Sequence, residues 1–137
     1  MKVEKIICNK QVLAIIFYNH PIDPGVHFFT DDHNSLQVGK QRRIKGEMIK
    51  PHKHMAVKVE RTETLQEVLY IEKGKVKITF YTDDRKPFEN RVLGPGEAIL
   101  LIKGGHGFEF LEETEMIEIK QGPYDPKSTQ RWEIKEK

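Results

Sequence analysis

Short apolar segments separated by turn-forming residues are the feature that most limits what this chain folds into. VKITFY (76–81) alternates strictly between apolar and polar residues, as a half-buried β-strand does. VLAIIFYN (12–19) and EAILLI (97–102) are nearly continuous apolar runs, typical of strands covered on both faces. Turn sequences lie between such segments, among them HPIDPG (20–25), YTDDRKP (81–87), LGPGE (93–97) and KGGHG (103–107). With no amphipathic helical stripe, the sequence predicts an all-β sandwich or barrel.

A second alternating segment, EMIEIK (115–120), is less regular. It places Ile117 and Ile119 on one face and Met116 beside the charged Glu118 on the other. We predict a strand here without assigning its buried face.

The length of 137 residues predicts a single domain with its own core. We predict a barrel core over about 35–122, an N-terminal edge strand within 1–20 and a C-terminal extension over 123–137. Cys8 is the only cysteine, so no intrachain disulfide forms, and no long apolar run predicts a membrane span. These features predict a cytoplasmic protein.

Positive and negative charges are nearly balanced, with 23 Lys and Arg against 21 Asp and Glu, and they are interspersed. This pattern argues against a nucleic-acid-binding protein, which carries a basic stripe. The one basic cluster is Lys40, Arg42, Arg43 and Lys45, and we interpret it as a solvated strand face in preference to an anion site. An exposed strand edge such as 12–19 predicts a homodimer paired through edge strands.

Histidines and a glutamate recur at spacings that suit a metal ion. In a strand, His52 and His54 project from the same face and are able to meet one ion. Glu67 begins a further predicted strand, and His106 stands in the glycine-rich KGGHGF. If the strands align, these four side chains form one cluster. By contrast, His20, His27 and His33 lie in turn-rich contexts and are predicted to be structural or solvated.

The same spacings resemble the two motifs of the cupin superfamily. Gly46 followed by His52-Lys53-His54, and Glu67 followed by Gly74, resemble the first motif, although twelve residues separate His54 from Glu67 where that motif has three or four. The stretch from Gly96 to His106 resembles the second, with Ile102 in place of its proline and Phe110 in place of its asparagine. The resemblance implies a single-domain cupin, a double-stranded β-helix or jelly-roll barrel.

The resemblance also implies a divalent metal ion held by His52, His54, Glu67 and His106. Imidazole and carboxylate ligands favour Fe, Mn, Ni, Co or Zn. The segment GGHGFEFLEETEMIEIKQGPYDP resembles small cupins found near carbohydrate genes, which implies a sugar or sugar-nucleotide ligand. Arg42, Gln37 and Tyr70 are candidate substrate-binding residues, with Arg42 as a clamp for a carboxylate or phosphate.

Three functions remain open at this point. The first, which we favour, is a metal-dependent enzyme on a small polar molecule, either an isomerase or epimerase or an oxygenase. The second is a metal-independent sugar isomerase or epimerase with a histidine base and an acidic or tyrosine partner. The third is a non-catalytic small-molecule-binding protein. No membrane or nucleic-acid partner is predicted for any of them.

Overall fold

The structure, a computed structural model, describes residues 2–60, 62–122 and 126–127, and it contains ten strands and no helix within those residues. The coarse prediction of an all-β fold is therefore confirmed. The strands are β1 (Val3–Cys8), β2 (Gln11–Phe17), β3 (Gly25–Phe28), β4 (Gly39–Arg42), β5 (Glu67–Lys73), β6 (Val76–Tyr81), β7 (Pro87–Leu93), β8 (Ala98–Leu101), β9 (Gly105–Phe110) and β10 (Glu115–Lys120).

The strands form three sheets, and all their pairings are antiparallel. A large sheet has the order β1-β2-β8-β5-β10, a small sheet has the order β7-β6-β9, and β3 pairs with β4 as a separate hairpin. None of these sheets closes on itself within the described residues. The closed jelly-roll barrel implied by the resemblance is thus not confirmed.

The hydrophobic core lies between the large and the small sheet. Leu69 and Ile71 of β5 face it from the large sheet, and Ile78 and Phe80 of β6 face it from the small one, each at most 1% exposed. The alternation within β6 explains this arrangement, since Val76, Ile78 and Phe80 project to one side. Two sheets that share one apolar layer in this way form a β-sandwich.

A second apolar cluster covers the outer face of the large sheet. Ile15, Leu100 and Val68 point outward and are buried beneath the loop that carries Phe29 and Leu36. This covering explains why 12–19 and 97–102 are almost continuously apolar, because β2 and β8 are buried on both faces.

The N-terminal strand β1 lies at the edge of the large sheet, and this position alters one expectation. β1 pairs with β2 along nearly its whole length, so residues 12–19 lie inside the sheet and do not offer an open edge for a dimer. The homodimer itself stays a prediction. No helix in the described part of the chain has the length and apolar character to cross a membrane.

The largest difference from the sequence analysis concerns the histidine segment. Residues 43–60 and 62–66 form no strand. The expectation that His52 and His54 lie on a β-strand is therefore wrong. Pro51 has no backbone N–H to give to a strand pairing, and no neighbouring strand pairs with this segment in the described residues. Most of the predicted C-terminal extension, 123–125 and 128–137, lies outside the described residues.

Candidate functional site

Two of the predicted ligands, Glu67 and His106, meet at one end of the sandwich. Glu67 is the first residue of β5 and faces the core side of the large sheet, like Leu69 two residues later. His106 lies near the start of β9 in the small sheet, opposite Phe80 of β6. The two sheets therefore bring together residues that are 39 positions apart in sequence, 106 minus 67.

The contact between these side chains is direct. His106 Nε2 lies 3.1 Å from Glu67 Oε1, and the side chains are 31% and 15% exposed. At this distance the imidazole Nε2–H donates a hydrogen bond to the carboxylate. That hydrogen bond to His106 is the main reason why the pKa of Glu67 lies below its usual range, and burial opposes it.

A third residue, the acidic Glu118 of β10, completes the polar cluster. Its carboxyl group shares a hydrogen bond with Glu67, and this bond together with burial and the negative charge of Glu67 raises the pKa of Glu118. Opposite shifts of neighbouring carboxyl groups are expected, because two like charges in contact do not ionise equally easily. Glu67 is therefore the anion of the pair, and Glu118 retains its proton to higher pH.

Glu118 was not among the ligands predicted from the sequence, and the orientation of β10 explains why. Met116 packs on the core, whereas Ile117 and Ile119 are 46% and 54% exposed. β10 thus turns its isoleucines outward and its Met116–Glu118 face inward. The register causes this orientation, since Glu118 lies beside the inward-facing Leu69. The alternation of EMIEIK already placed Glu118 with Met116, and the missing information was which face is buried.

The other two predicted ligands are not brought to this cluster. His52 and His54 are exposed, and their ring centroids lie 5.2 Å apart. His52 Nδ1 lies 2.9 Å from the Lys50 carbonyl oxygen, so Nδ1 carries the hydrogen and Nε2 keeps its lone pair. Within the described residues, no group of three or more His, Cys, Asp or Glu side chains is arranged to hold a metal ion.

The three candidate substrate-binding residues lie in three different places. Arg42 ends β4, and its Nη1 donates to the Ile22 carbonyl oxygen at 3.1 Å. Gln37 accepts a hydrogen bond from Thr30 and donates to two backbone carbonyls of its own loop. Tyr70 is 41% exposed and lies between the inward-facing Leu69 and Ile71, so it points away from the core. The structure therefore does not gather these three side chains around the Glu67–His106 contact.

Comparison of the chain with protein-family models, with curated proteins and with solved structures finds no match. We therefore infer the function from the arrangement of Glu67, His106 and Glu118.

Proposed function

We propose that the protein binds a divalent metal ion at the end of the sandwich, within a cupin-like fold, and uses it to bind and act on a small polar molecule of the sugar or sugar-nucleotide type. The single observation that carries this proposal is the 3.1 Å contact between His106 Nε2 and Glu67 Oε1. An imidazole nitrogen and a carboxylate oxygen converging from two sheets are two ligands of the kind that Fe, Mn, Ni, Co and Zn accept.

The donor atoms of these two residues fit a metal ion. Nε2 and Oε1 are 3.1 Å apart, close enough for both to be ligands of one ion once Nε2 has lost its hydrogen, so Glu67 and His106 would hold a cation with little movement. Glu118, hydrogen-bonded to Glu67, is positioned to orient the carboxylate in the way that neighbours of metal ligands do. Glu67 and His106 are thus the ligands best supported by the geometry.

His52 and His54 could also be ligands of this ion, because they have imidazole donors and the chain between them and Glu67 is long enough to bring them to it. The tautomer of His52 leaves Nε2 available to a metal ion, and His54 is its neighbour. A fully extended chain spans roughly 3.3–3.6 Å per residue, so the residues between His54 and Glu67 are a tether of about 40 Å, longer than the sandwich is thick. In addition, β9 ends the small sheet in the described residues, which leaves an open edge beside His106 for an extended segment.

When bound, the ion would act as a Lewis acid on a carbonyl or hydroxyl oxygen of the ligand. The chain's own residues have separate roles. The apolar layer beneath, with Phe108 beside His106 at a ring-centroid distance of 5.4 Å, limits access of water from the core side. Glu118, the carboxyl group that stays protonated to higher pH, is hydrogen-bonded to Glu67 and would be the proton donor.

Metal analysis of protein purified without an affinity tag tests this proposal. We expect about one divalent ion per chain, a strong loss of the ion in His106→Ala and a weaker affinity in His52→Ala. His33→Ala is the matched control, because His33 is an exposed histidine whose backbone N–H is held by Asp31. Absence of bound metal in the parent protein, or equal loss in all three variants, would contradict the proposal.

The same geometry favours a second candidate, a metal-independent isomerase or epimerase. A histidine hydrogen-bonded to a partly buried carboxylate is the usual arrangement of a general base, and Glu118, whose pKa is raised, is a candidate acid beside it. This candidate predicts turnover that survives chelation of metal ions and is lost in Glu67→Gln. Turnover abolished by a chelator and restored by added metal would exclude it.

A further inference from the structure

A cleft between the β3–β4 hairpin and the segment 20–23 has the features of an oxyanion site. Pro21, Ile22, Asp23, His27 and Arg42 line a cavity of about 420 Å³. An adjoining cavity of about 530 Å³ shares Pro21, Ile22 and Arg42 and extends along the basic residues Lys40 and Arg43. Both volumes lie within the range of small-molecule sites.

One face of the hairpin carries His27, Lys40 and Arg42. His27 lies directly opposite Lys40 and Gly25 directly opposite Arg42, and residues paired in this way project from the same side of a sheet. The face therefore presents an imidazole, an ammonium and a guanidinium group together. Gly25 is the fourth residue on this face and has no side chain. A Cβ built there would have its nearest neighbour, His27 Nε2, 3.9 Å away, so the space above Gly25 is open.

Backbone carbonyls of the facing segment hold each of these three side chains. Lys40 Nζ donates to the His20 oxygen at 2.7 Å, and Arg42 Nη1 donates to the Ile22 oxygen at 3.1 Å. His27 Nε2 lies 3.0 Å from the Asp23 oxygen and donates to it. Each side chain is thus fixed in place by one hydrogen bond, so less rotamer entropy is lost when a ligand binds.

The donors that remain suit a tetrahedral anion. Lysine has three N–H donors and arginine five, so after these contacts Lys40 keeps two and Arg42 keeps four. Arg43 adds a third cation at the rim, held by Gln41 at 3.2 Å, and Asp23 is the one carboxylate among the lining residues. The charge balance of the cleft is therefore positive, and arginine forms paired hydrogen bonds to phosphate with particular ease.

We propose that this cleft binds the phosphate group of a small molecule through Arg42 and Lys40. It is built from elements that do not contribute Glu67 or His106, so the proposal does not depend on the metal site. It also gives a ligand-binding role to the basic cluster that was predicted to be a solvated strand face.

Titration with inorganic phosphate, followed by amide chemical shifts at constant ionic strength, tests the proposal. We expect saturable shifts of the Gly25 and Gln41 amides, and weaker shifts with acetate, which has a single charge and no tetrahedral oxygens. Arg42→Gln should weaken phosphate binding at least about tenfold, as expected for the loss of a charge-assisted hydrogen bond. Lys5→Gln, which removes an exposed cation of β1, should leave the affinity within about twofold.

Arg42 also donates a hydrogen bond to the Ile22 carbonyl oxygen, so Arg42→Gln could weaken binding by disturbing the segment 20–23. A second variant distinguishes this effect from the loss of a direct contact with phosphate. Arg42→Lys keeps the positive charge and should bind phosphate with intermediate affinity. Linear shifts without saturation in the parent protein would overturn the proposal. Unchanged affinity in Arg42→Gln, or an equal loss in Lys5→Gln, would overturn it as well.

Discussion

Replacement of Gly74, the residue that follows β5, by any residue with a side chain is expected to destabilise the fold. Gly74 connects β5 to β6 and has a φ of 91°, in the region that L-residues rarely adopt. A Cβ built at this position would overlap the Glu113 carbonyl oxygen and would lie 2.6 Å from Thr114 Oγ1 and 2.8 Å from Thr114 Cα. Two of these three atoms are backbone atoms, so no side-chain rotation relieves the overlap.

The loss of stability in Gly74→Ala has two contributions, and Gly46→Ala serves as a control because it carries only one of them. The unfavourable φ costs roughly 1–2 kcal/mol in any L-residue. Forced displacement of packed backbone adds roughly 1–3 kcal/mol. Gly46 has almost the same φ, 93°, but a Cβ there meets nothing within 4 Å. Gly46→Ala therefore carries only the first cost, partly offset by the reduced entropy of the unfolded chain.

Urea denaturation of both variants measures the difference. We expect Gly74→Ala to lower the free energy of unfolding by about 2–5 kcal/mol and Gly46→Ala by about 1 kcal/mol or less. Comparable losses in the two variants would show that backbone conformation alone sets the cost. A loss under about 0.5 kcal/mol in Gly74→Ala would refute the packing argument altogether.

Two further predictions concern the dependence of stability on pH. Arg91 Nη2 lies 2.6 Å from Glu4 Oε1 and lowers the pKa of Glu4, so their contribution is present above the unfolded-state pKa and is lost as pH falls through the folded-state value. Both side chains are about one third exposed, so Arg91→Gln should cost at most about 1 kcal/mol at pH 7 and nothing near pH 2, by urea denaturation. Glu118 has a raised pKa beside Glu67, so its ionisation destabilises the fold as pH rises. Glu118→Gln should therefore raise the melting temperature at pH 7 and leave it unchanged at pH 3, and a lower melting temperature at pH 7 would contradict the assignment.

The strand pattern could be predicted from the sequence wherever local alternation and burial agree. The segments 76–81 and 115–120 are β6 and β10 as predicted, and β8 lies within 97–102. The side-chain period of two indicates the strands in 76–81 and 115–120, the short apolar run indicates the strand in 97–102, and turn residues mark the ends.

The parts that could not be predicted depend on pairing between distant segments. A strand needs a partner, and the histidine segment has none in the described residues, whatever its own sequence favours. The orientation of β10 follows from its register with β5, which places Glu118 beside Leu69 and leaves Ile117 outside. Glu67 and His106 were selected by spacing, but only the packing of the two sheets brings them into contact.

The most direct test of the central claim is a crystal structure of the protein grown with Co²⁺ or Mn²⁺, with anomalous scattering recorded to locate the ion. We predict one peak within about 2.0–2.3 Å of both His106 Nε2 and Glu67 Oε1. A peak held by His52 and His54 alone, or a Glu67–His106 hydrogen bond that persists with no ion beside it, would contradict metal binding by Glu67 and His106.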